Sequence, residues 1–381
     1  MKVGALTSVH SPFDVRIFYK ECRSLARAGH DVTVIAPHCR DEMVEGVRIK
    51  AVVGTRTNRP ARVTGTVWRV GRAAVRLGAT LYHLHDPELI PVGLVLRRLG
   101  KLVVYDAHED LPQTIASKRY IPRVARRPVE ELSRTLEHIA ARQLSAIVAA
   151  TPTIADRFAA TNPHTVVIRN YVSLEEWPLG RQMPWDERPY AVAYVGGITW
   201  DRGLREMVES IARVSSTRPA RLALAGPRSA TIVGRARAEL TGWEHVDDLG
   251  LLGRPEVVAL LGRVRAGLVI LHPTPNYLPS LPIKLFEYMA AGLPVVVSDF
   301  PVLRRIVEEA GCGILVDPLD PAAIARAIEF LLVNPAEAQA MGRRGRAAVE
   351  RAYSWESEAR KLVELYAVLE SGARTPAGSV G

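Results

Sequence analysis

Apolar and polar positions along this chain follow two alternating periods, and the alternation repeats from end to end. Residues 2–7 and 31–36 are short apolar runs, and between them Ile17, Phe18, Cys22, Leu25 and Ala26 recur at helical spacing until Gly29. Strand, helix, strand is the βαβ unit of a parallel sheet. Apolar runs at 80–84, 102–106, 146–150 and 166–168 continue the pattern, and runs at 191–195, 222–225, 266–271, 293–297 and 314–316 repeat it in the second half. Helices are predicted over 204–214, from just after Pro282 to Gly292, and over 321–332, 338–352 and 354–369. Residues 174–189 break the rhythm, since Pro178, Pro184 and Pro189 stand there with little periodicity, and they read as a linker. A chain of 381 residues also exceeds what one core usually covers. The prediction is an α/β protein with Rossmann-like domains at 1–173 and 190–353 and a small-residue, disordered tail at 371–381.

The carboxyl ends of parallel strands are where open α/β sheets bind ligands, and polar residues gather there. The 80–84 strand ends in His83, His85, Asp86 and Glu88, and the 102–106 strand in His108, Glu109 and Asp110. The 191–195 strand runs into Gly196-Gly197, which lets the backbone approach a phosphate, and Arg202 follows as a cation near the next helix start. The first βα connection, residues 7–16, has no G-x-G-x-x-G, so a dinucleotide fingerprint is absent. In residues 276–301, Pro279 and Pro282 delay a helix that then opens with Lys284 in its first turn. A lysine beside unpaired helix N-terminal amides suits a diphosphate. Glu287, one turn later on the same face, suits the two hydroxyls of a ribose; spacing alone equally permits an ordinary Lys284–Glu287 surface pair.

Pro282, Lys284, Glu287, Tyr288, Met289, Ala290, Gly292, Pro294 and Val295 form a P-x-K-x-x-E-Y-M-A-x-G-x-P-V motif. This resembles the nucleotide-sugar signature of the family 4 glycosyltransferases, and the likeness extends over nearly the whole chain. It implies the GT-B fold, two Rossmann-like domains facing an interdomain cleft, with a last helix at about 354–370 packing back on the first domain. It implies retaining transfer from a nucleotide sugar, with no other cofactor and no metal. By resemblance His108 lies against the donor sugar, Glu287 holds the ribose, and the 251–254 loop with Arg254 stands where relatives hold the base. Gly196, Gly197, Arg202, Ser280 and Lys284 complete the donor site, and the loop carrying His10 and Asp14 faces the acceptor. From the residues alone, His10 and Asp14 read equally as turn residues. Two departures stand out. Relatives carry an earlier glutamate where this chain has Pro279, and an arginine where it has Gly197, while Arg202 stands in for their lysine.

Composition changes the picture in one respect. The net charge is +10 with a pI near 9.7, so an anionic partner is expected. Arg59, Arg62, Arg69, Arg72 and Arg76 alternate with Val67, Trp68, Val70 and Val75, and a second cluster runs through Lys118, Arg119, Arg123, Arg126 and Arg127. Basic residues interleaved with apolar ones suit an anionic membrane surface, so a lipid-linked saccharide acceptor and peripheral attachment to the inner face are expected, without nucleic acid. No apolar run approaches the roughly 20 residues of a membrane span, nor does the N-terminus read as a signal peptide, which predicts a cytoplasmic protein. Cys22, Cys39 and Cys312 lack metal or disulfide spacing and read as buried thiols. Neither H-E-x-x-H nor D-x-D occurs, which disfavours a metal site. Three other readings stay open: a non-catalytic sugar-nucleotide-binding partner of another transferase, a transferase for a soluble small acceptor, and an epimerase using Glu109 and Asp110.

Overall fold

The computed structural model describes residues 1–54, 65–108, 111–112, 123–178, 180 and 182–374. The chain forms two compact units, one comprising Met1–Asn170 and the chain from Trp355 onward, the other Tyr171–Ser354.

In the first unit, β1 (Lys2–Leu6), β2 (Asp31–Pro37), β3 (Glu42–Val44), β4 (Val47–Val52), β5 (Leu81–Leu84), β6 (Leu102–Ala107), β7 (Ala146–Ala149) and β8 (Thr165–Val167) form one sheet in the order β3-β4-β2-β1-β5-β6-β7-β8. All neighbours are parallel except β3 and β4, an antiparallel pair absent from the sequence prediction because its polar edge carries little apolar signal. The order reverses between β1 and β5, which opens a crevice at their carboxyl ends. Both faces are covered. Tyr82, Leu84, Val103 and Ile147 belong to one core cluster, and Val3, Val34, Ile49 and Val104 to the other. That burial explains why the strands read as continuous apolar runs rather than alternating ones. The Trp355–Arg374 helix belongs to this unit: Trp355, Leu362, Leu365 and Tyr366 are buried in the second cluster, and Trp355 Nε1 donates to Ser24 Oγ at 3.0 Å.

In the second unit, β9 (Tyr190–Val195), β10 (Leu222–Ala225), β11 (Val246–Gly250), β12 (Val264–Val269), β13 (Val295–Ser298) and β14 (Gly313–Val316) form a parallel sheet ordered β11-β10-β9-β12-β13-β14. Its reversal lies between β9 and β12. At Gly267 on β12 the ring of Tyr288 lies so close that an added Cβ would stand 2.2 Å from it. Tyr288 Oη in turn accepts from Val195 N at 2.8 Å, so this ring fixes the end of β9. The segment at 174–189 differs from a free linker. Trp177 and Trp185 are buried within the second unit's cores, because their large apolar area outweighs the local prolines.

Of the basic segment at 59–76, Arg59 and Arg62 lie outside the described residues. Arg69, Arg72 and Arg76 fall in the Val67–Leu77 helix, which buries Val70 and Ala74 and exposes Trp68, with Arg72 over its ring at 5.3 Å. Lys118 and Arg119 also lie outside the described residues, as do Glu109 and Asp110. Arg123 and Arg126 fall in the Arg123–Gln143 helix, where Arg127 is exposed. Cys22 and Cys312 are buried as expected, but Cys39 is exposed in the turn before β3. Among the described residues no helix is long and apolar enough to cross a membrane.

Candidate functional site

In the second unit the crevice at the ends of β9 and β12 gathers the residues of the motif. β9 runs into Gly196, at φ 141°, and Gly197; a short turn, Trp200–Arg202, then leads through Gly203 into the Leu204–Ser215 helix. A Cβ on Gly196 would stand 2.7 Å from Lys284 Nζ, and one on Gly197 would stand 2.7 Å from Arg202 Nη1. The glycine pair is thus the floor on which two cations lie. Arg202 is where a side chain at 197 would project, so this crevice accommodates a single guanidinium there, which accounts physically for Gly197. Tyr277, in the loop after β12, holds Arg202 by a hydrogen bond from Nε to Oη at 3.0 Å. Ser280 closes the same loop by donating from Oγ to Tyr277 O at 2.9 Å.

Lys284 opens the Ile283–Ala290 helix, which no side chain caps. Its ammonium is buried, 3.5 Å from the centre of the Tyr194 ring, and makes no hydrogen bond among the described residues. Burial, and then the charge of Arg202, push it well below the usual lysine value; Glu287 opposes this weakly. A buried ammonium without a hydrogen-bond acceptor, beside a second cation, is a site prepared for an anion.

The Lys284–Glu287 surface pair permitted by spacing is not formed. Both residues are buried, and Glu287 Oε1 pairs with Arg254 Nη1 at 2.5 Å, while Arg254 Nη2 pairs with Glu176. Arg254 sits at the start of the Arg254–Leu261 helix, stacked over Trp177 at 5.6 Å, and so fixes the Glu287 carboxylate. Sequence reasoning missed Tyr194, Tyr277, Glu176 and this pairing. An aromatic residue in an apolar strand carries no signal beyond core packing.

In the first unit the reversal between β1 and β5 gathers His10, Asp14, Asp86 and His108. His10 lies 3.4 Å from Asp86 Oδ1 and 3.5 Å from Asp14 Oδ2, and its ring centre is 5.9 Å from that of His108. Asp14 caps the helix Val15–Cys22, the first of the chain, accepting from Arg16 N at 2.9 Å and Ile17 N at 3.1 Å. Burial would raise its carboxyl, but the contact with His10 and these amides bring it down to about 2. His108 Nε2 lies 2.9 Å from Asp106 Oδ2.

Behind His108, Arg16, Glu21, His83, His85 and Asp106 are all buried, and Tyr366 Oη lies 2.9 Å from His83 Nδ1. Glu21, His83, His85 and Asp106 offer metal-ligand atoms within 4.8 Å of one another. The charge balance disfavours an ion. Arg16 pairs with Glu21 at 2.9 Å and with both oxygens of Asp106, so one proton neutralises the cluster, whereas a divalent cation would leave a buried positive charge. Burial and the neighbouring Asp106 push Glu21 well above the carboxylate range.

Residues 15–176 match the family model described as Glycosyltransferase Family 4, and residues 176–348 that described as Glycosyl transferases group 1. The chain is 24% identical over 384 residues to a glycogen synthase of Mycobacterium tuberculosis, covering 93% of this chain and 90% of that one. It is 38% identical over 101 residues to a phosphatidyl-myo-inositol mannosyltransferase of Mycobacterium leprae, 26% and 27% of the two chains. Among solved structures, sucrose-phosphate synthase from Thermosynechococcus elongatus superposes with a TM-score of 0.73 at 18% identity, over 97% of this chain and 99% of that one. HepE of Anabaena in complex with UDP-glucose gives 0.69 at 14%, over 97% and 100%. The fold is GT-B, and the chain belongs to the family 4 glycosyltransferases.

Proposed function

We propose that the protein transfers a sugar from a UDP- or GDP-sugar to a hydroxyl of a lipid-linked saccharide in cell-envelope or exopolysaccharide synthesis, with retention at the anomeric carbon. The observation that carries this reading is the buried ammonium of Lys284, unbonded beside Arg202 on the glycine pair. A nucleoside diphosphate supplies the charge this crevice lacks. As the bond from C1 to the diphosphate oxygen breaks, negative charge grows on the leaving group, where Lys284, Arg202 and the uncapped helix amides stabilise it. The acceptor oxygen then bonds to C1 from the same face and its proton passes to the departing oxygen. Each preorganised donor of this kind is worth roughly 10²–10³ in rate. Glu287, oriented by Arg254, holds the ribose.

Melting temperature with and without UDP, GDP and their sugars tests this, because a ligand at 100 times its Kd stabilises by about 2.7 kcal/mol. Slow donor hydrolysis in the best-stabilised case is the second readout. No shift with any nucleotide would overturn the assignment. A shift without hydrolysis or transfer favours the second reading, a sugar-nucleotide-binding partner, to which the proline at position 279 lends support.

A further inference from the structure

A cavity of about 400 Å³ opens in the second unit between Trp177 and Arg188, the carboxyl end of the Ile283–Ala290 helix and the Pro335–Ala352 helix. Neither Lys284, Arg202, Glu287 nor the glycine pair lines it. Gln339, Arg343, Arg346 and Glu350 stand along one face of the last of these helices, where their spacing of four, three and four residues puts them on the cavity wall. Among the described residues three arginines, Arg188, Arg343 and Arg346, face the single carboxylate of Glu350. Arg188 is buried, and its guanidinium donates to Met183 O at 2.9 Å, Val264 O at 3.1 Å and Gln182 Oε1 at 3.0 Å, all neutral acceptors. Burial, and then the neighbouring Arg265, disfavour its charge. Arg346 donates through Nη1 to Trp177 O at 2.7 Å and Ala290 O at 2.6 Å, and through Nε to Glu350 at 2.6 Å, which leaves Nη2 without an acceptor among the described residues. Arg343 is exposed and has no described partner, and the buried Nε1–H of Trp177 has none either. The wall therefore carries an excess of donors and of positive charge.

We propose that this cavity is a second ligand site, separate from the donor crevice, and that it takes a small phosphorylated sugar. Arginines meet phosphate oxygens in pairs of charge-assisted hydrogen bonds, which is the complement this wall lacks. The volume falls within the roughly 300–1,000 Å³ of small-molecule sites, so the ligand is larger than a phosphate ion. Gln339 and Glu350 supply the amide and carboxylate that sugar hydroxyls bind. The site also bears on the donor crevice through two contacts. Trp177 lies under Arg254, which pairs with Glu287, and Arg346 grips Ala290, the last residue of the helix that Lys284 opens. A ligand that moves Trp177 or Arg346 is felt at both.

Calorimetry on the full-length protein, with the donor crevice filled by saturating UDP or GDP, tests this using a hexose 6-phosphate, inorganic phosphate and the neutral hexose as probes. The hexose 6-phosphate should bind about tenfold or more tightly than either of the others. Arg343→Glu, a change on exposed helix surface, should raise its Kd about tenfold or more. Arg305→Glu makes the same change of charge on another exposed helix and should leave that Kd as it was. Filling the cavity should change the nucleotide Kd by about threefold or more. Loss of hexose 6-phosphate binding when the nucleotide saturates overturns the proposal, because the probe then occupies the donor crevice. Equal binding of the neutral hexose overturns the anion site, and equal binding of inorganic phosphate overturns the sugar. Unaltered affinity in Arg343→Glu, or equal loss in both variants, removes the cavity from the account, and an unmoved nucleotide Kd removes the coupling. If no nucleotide shifts the melting temperature while the hexose 6-phosphate does, and Arg343→Glu abolishes that shift, the transferase reading fails and the cavity assignment stands.

Discussion

At the scale of single residues, the donor crevice holds an energetic cost that a ligand relieves. Lys284 has a lower value in the folded chain than the 10.5 of a free lysine, because burial and Arg202 disfavour its charge. A base whose value is lower when folded binds fewer protons in the native state, so the unliganded protein should gain stability as pH rises towards 10.5. Diphosphate binding should reverse this and take up a proton in alkaline buffer, which calorimetry in buffers of different ionisation enthalpy would detect; no proton uptake sinks the idea. Lys284→Met should raise or preserve the melting temperature without ligand and abolish the UDP-dependent shift. Glu287→Ala removes a charged hydrogen-bonding partner worth about 1.5–3 kcal/mol, so nucleotide Kd should rise about 10–100-fold. Unchanged nucleotide binding would remove Glu287 from the ribose. This carboxylate was legible in the sequence from its motif, and Arg254 from its place in the 251–254 loop, whereas their pairing across 33 residues was not, because helix periodicity is blind to such a separation.

Elements decide which glycines are functional. On β12, Gly267 makes room for the Tyr288 ring that pins β9, so Gly267→Ala must displace a buried aromatic and should cost about 1–3 kcal/mol or more. At Gly197 the close atom is the end of Arg202, which can move. Gly197→Ala should therefore change stability by less than about 1 kcal/mol while lowering turnover, since the displaced guanidinium no longer meets the leaving group. Chemical denaturation paired with steady-state rates separates the two, and equal stability losses would contradict the assignment. Asp14 belongs to this scale too, as the cap of the first helix. Its carboxyl lies lower in the folded than in the unfolded chain, so its contribution is complete above about 4 and lost as pH falls towards 2. Asp14→Ala should cost about 1 kcal/mol at neutral pH, and a larger effect on the acceptor KM than on stability would support its place on the acceptor side.

For the whole molecule, the open question is where the acceptor is met. Trp68, Arg72, Val75 and Arg76 form one exposed face of the Val67–Leu77 helix, whereas Arg69 is tied to Val53 O at 3.0 Å. Binding to anionic vesicles should weaken steeply with salt, because the Debye length falls from about 10 Å at 0.1 M to about 3 Å at 1 M. The Arg72→Glu, Arg76→Glu double variant should release the protein at low salt. Equal recovery in the supernatant with anionic and neutral vesicles would favour a soluble acceptor instead.

The sequence by itself determined the alternation of strands and helices, the two-sheet architecture, the glycine pair and the identities of Lys284, Arg202 and Glu287. Those features are written in local periods, in the residues that break them and in one contiguous motif. Only the tertiary structure decided the pairings. Arg16 meets Asp106 across 90 residues and Tyr366 meets His83 across 283, because the strand order carries β1 to β5 and β6 and the last helix back onto that sheet. Whether Lys284 pairs with its neighbour or waits unbonded beside Arg202 was likewise settled by the order β9-β12, which places the glycine loop against the start of its helix. Charge pairing in a buried crevice depends on which strand ends adjoin, and no periodicity along the chain records that.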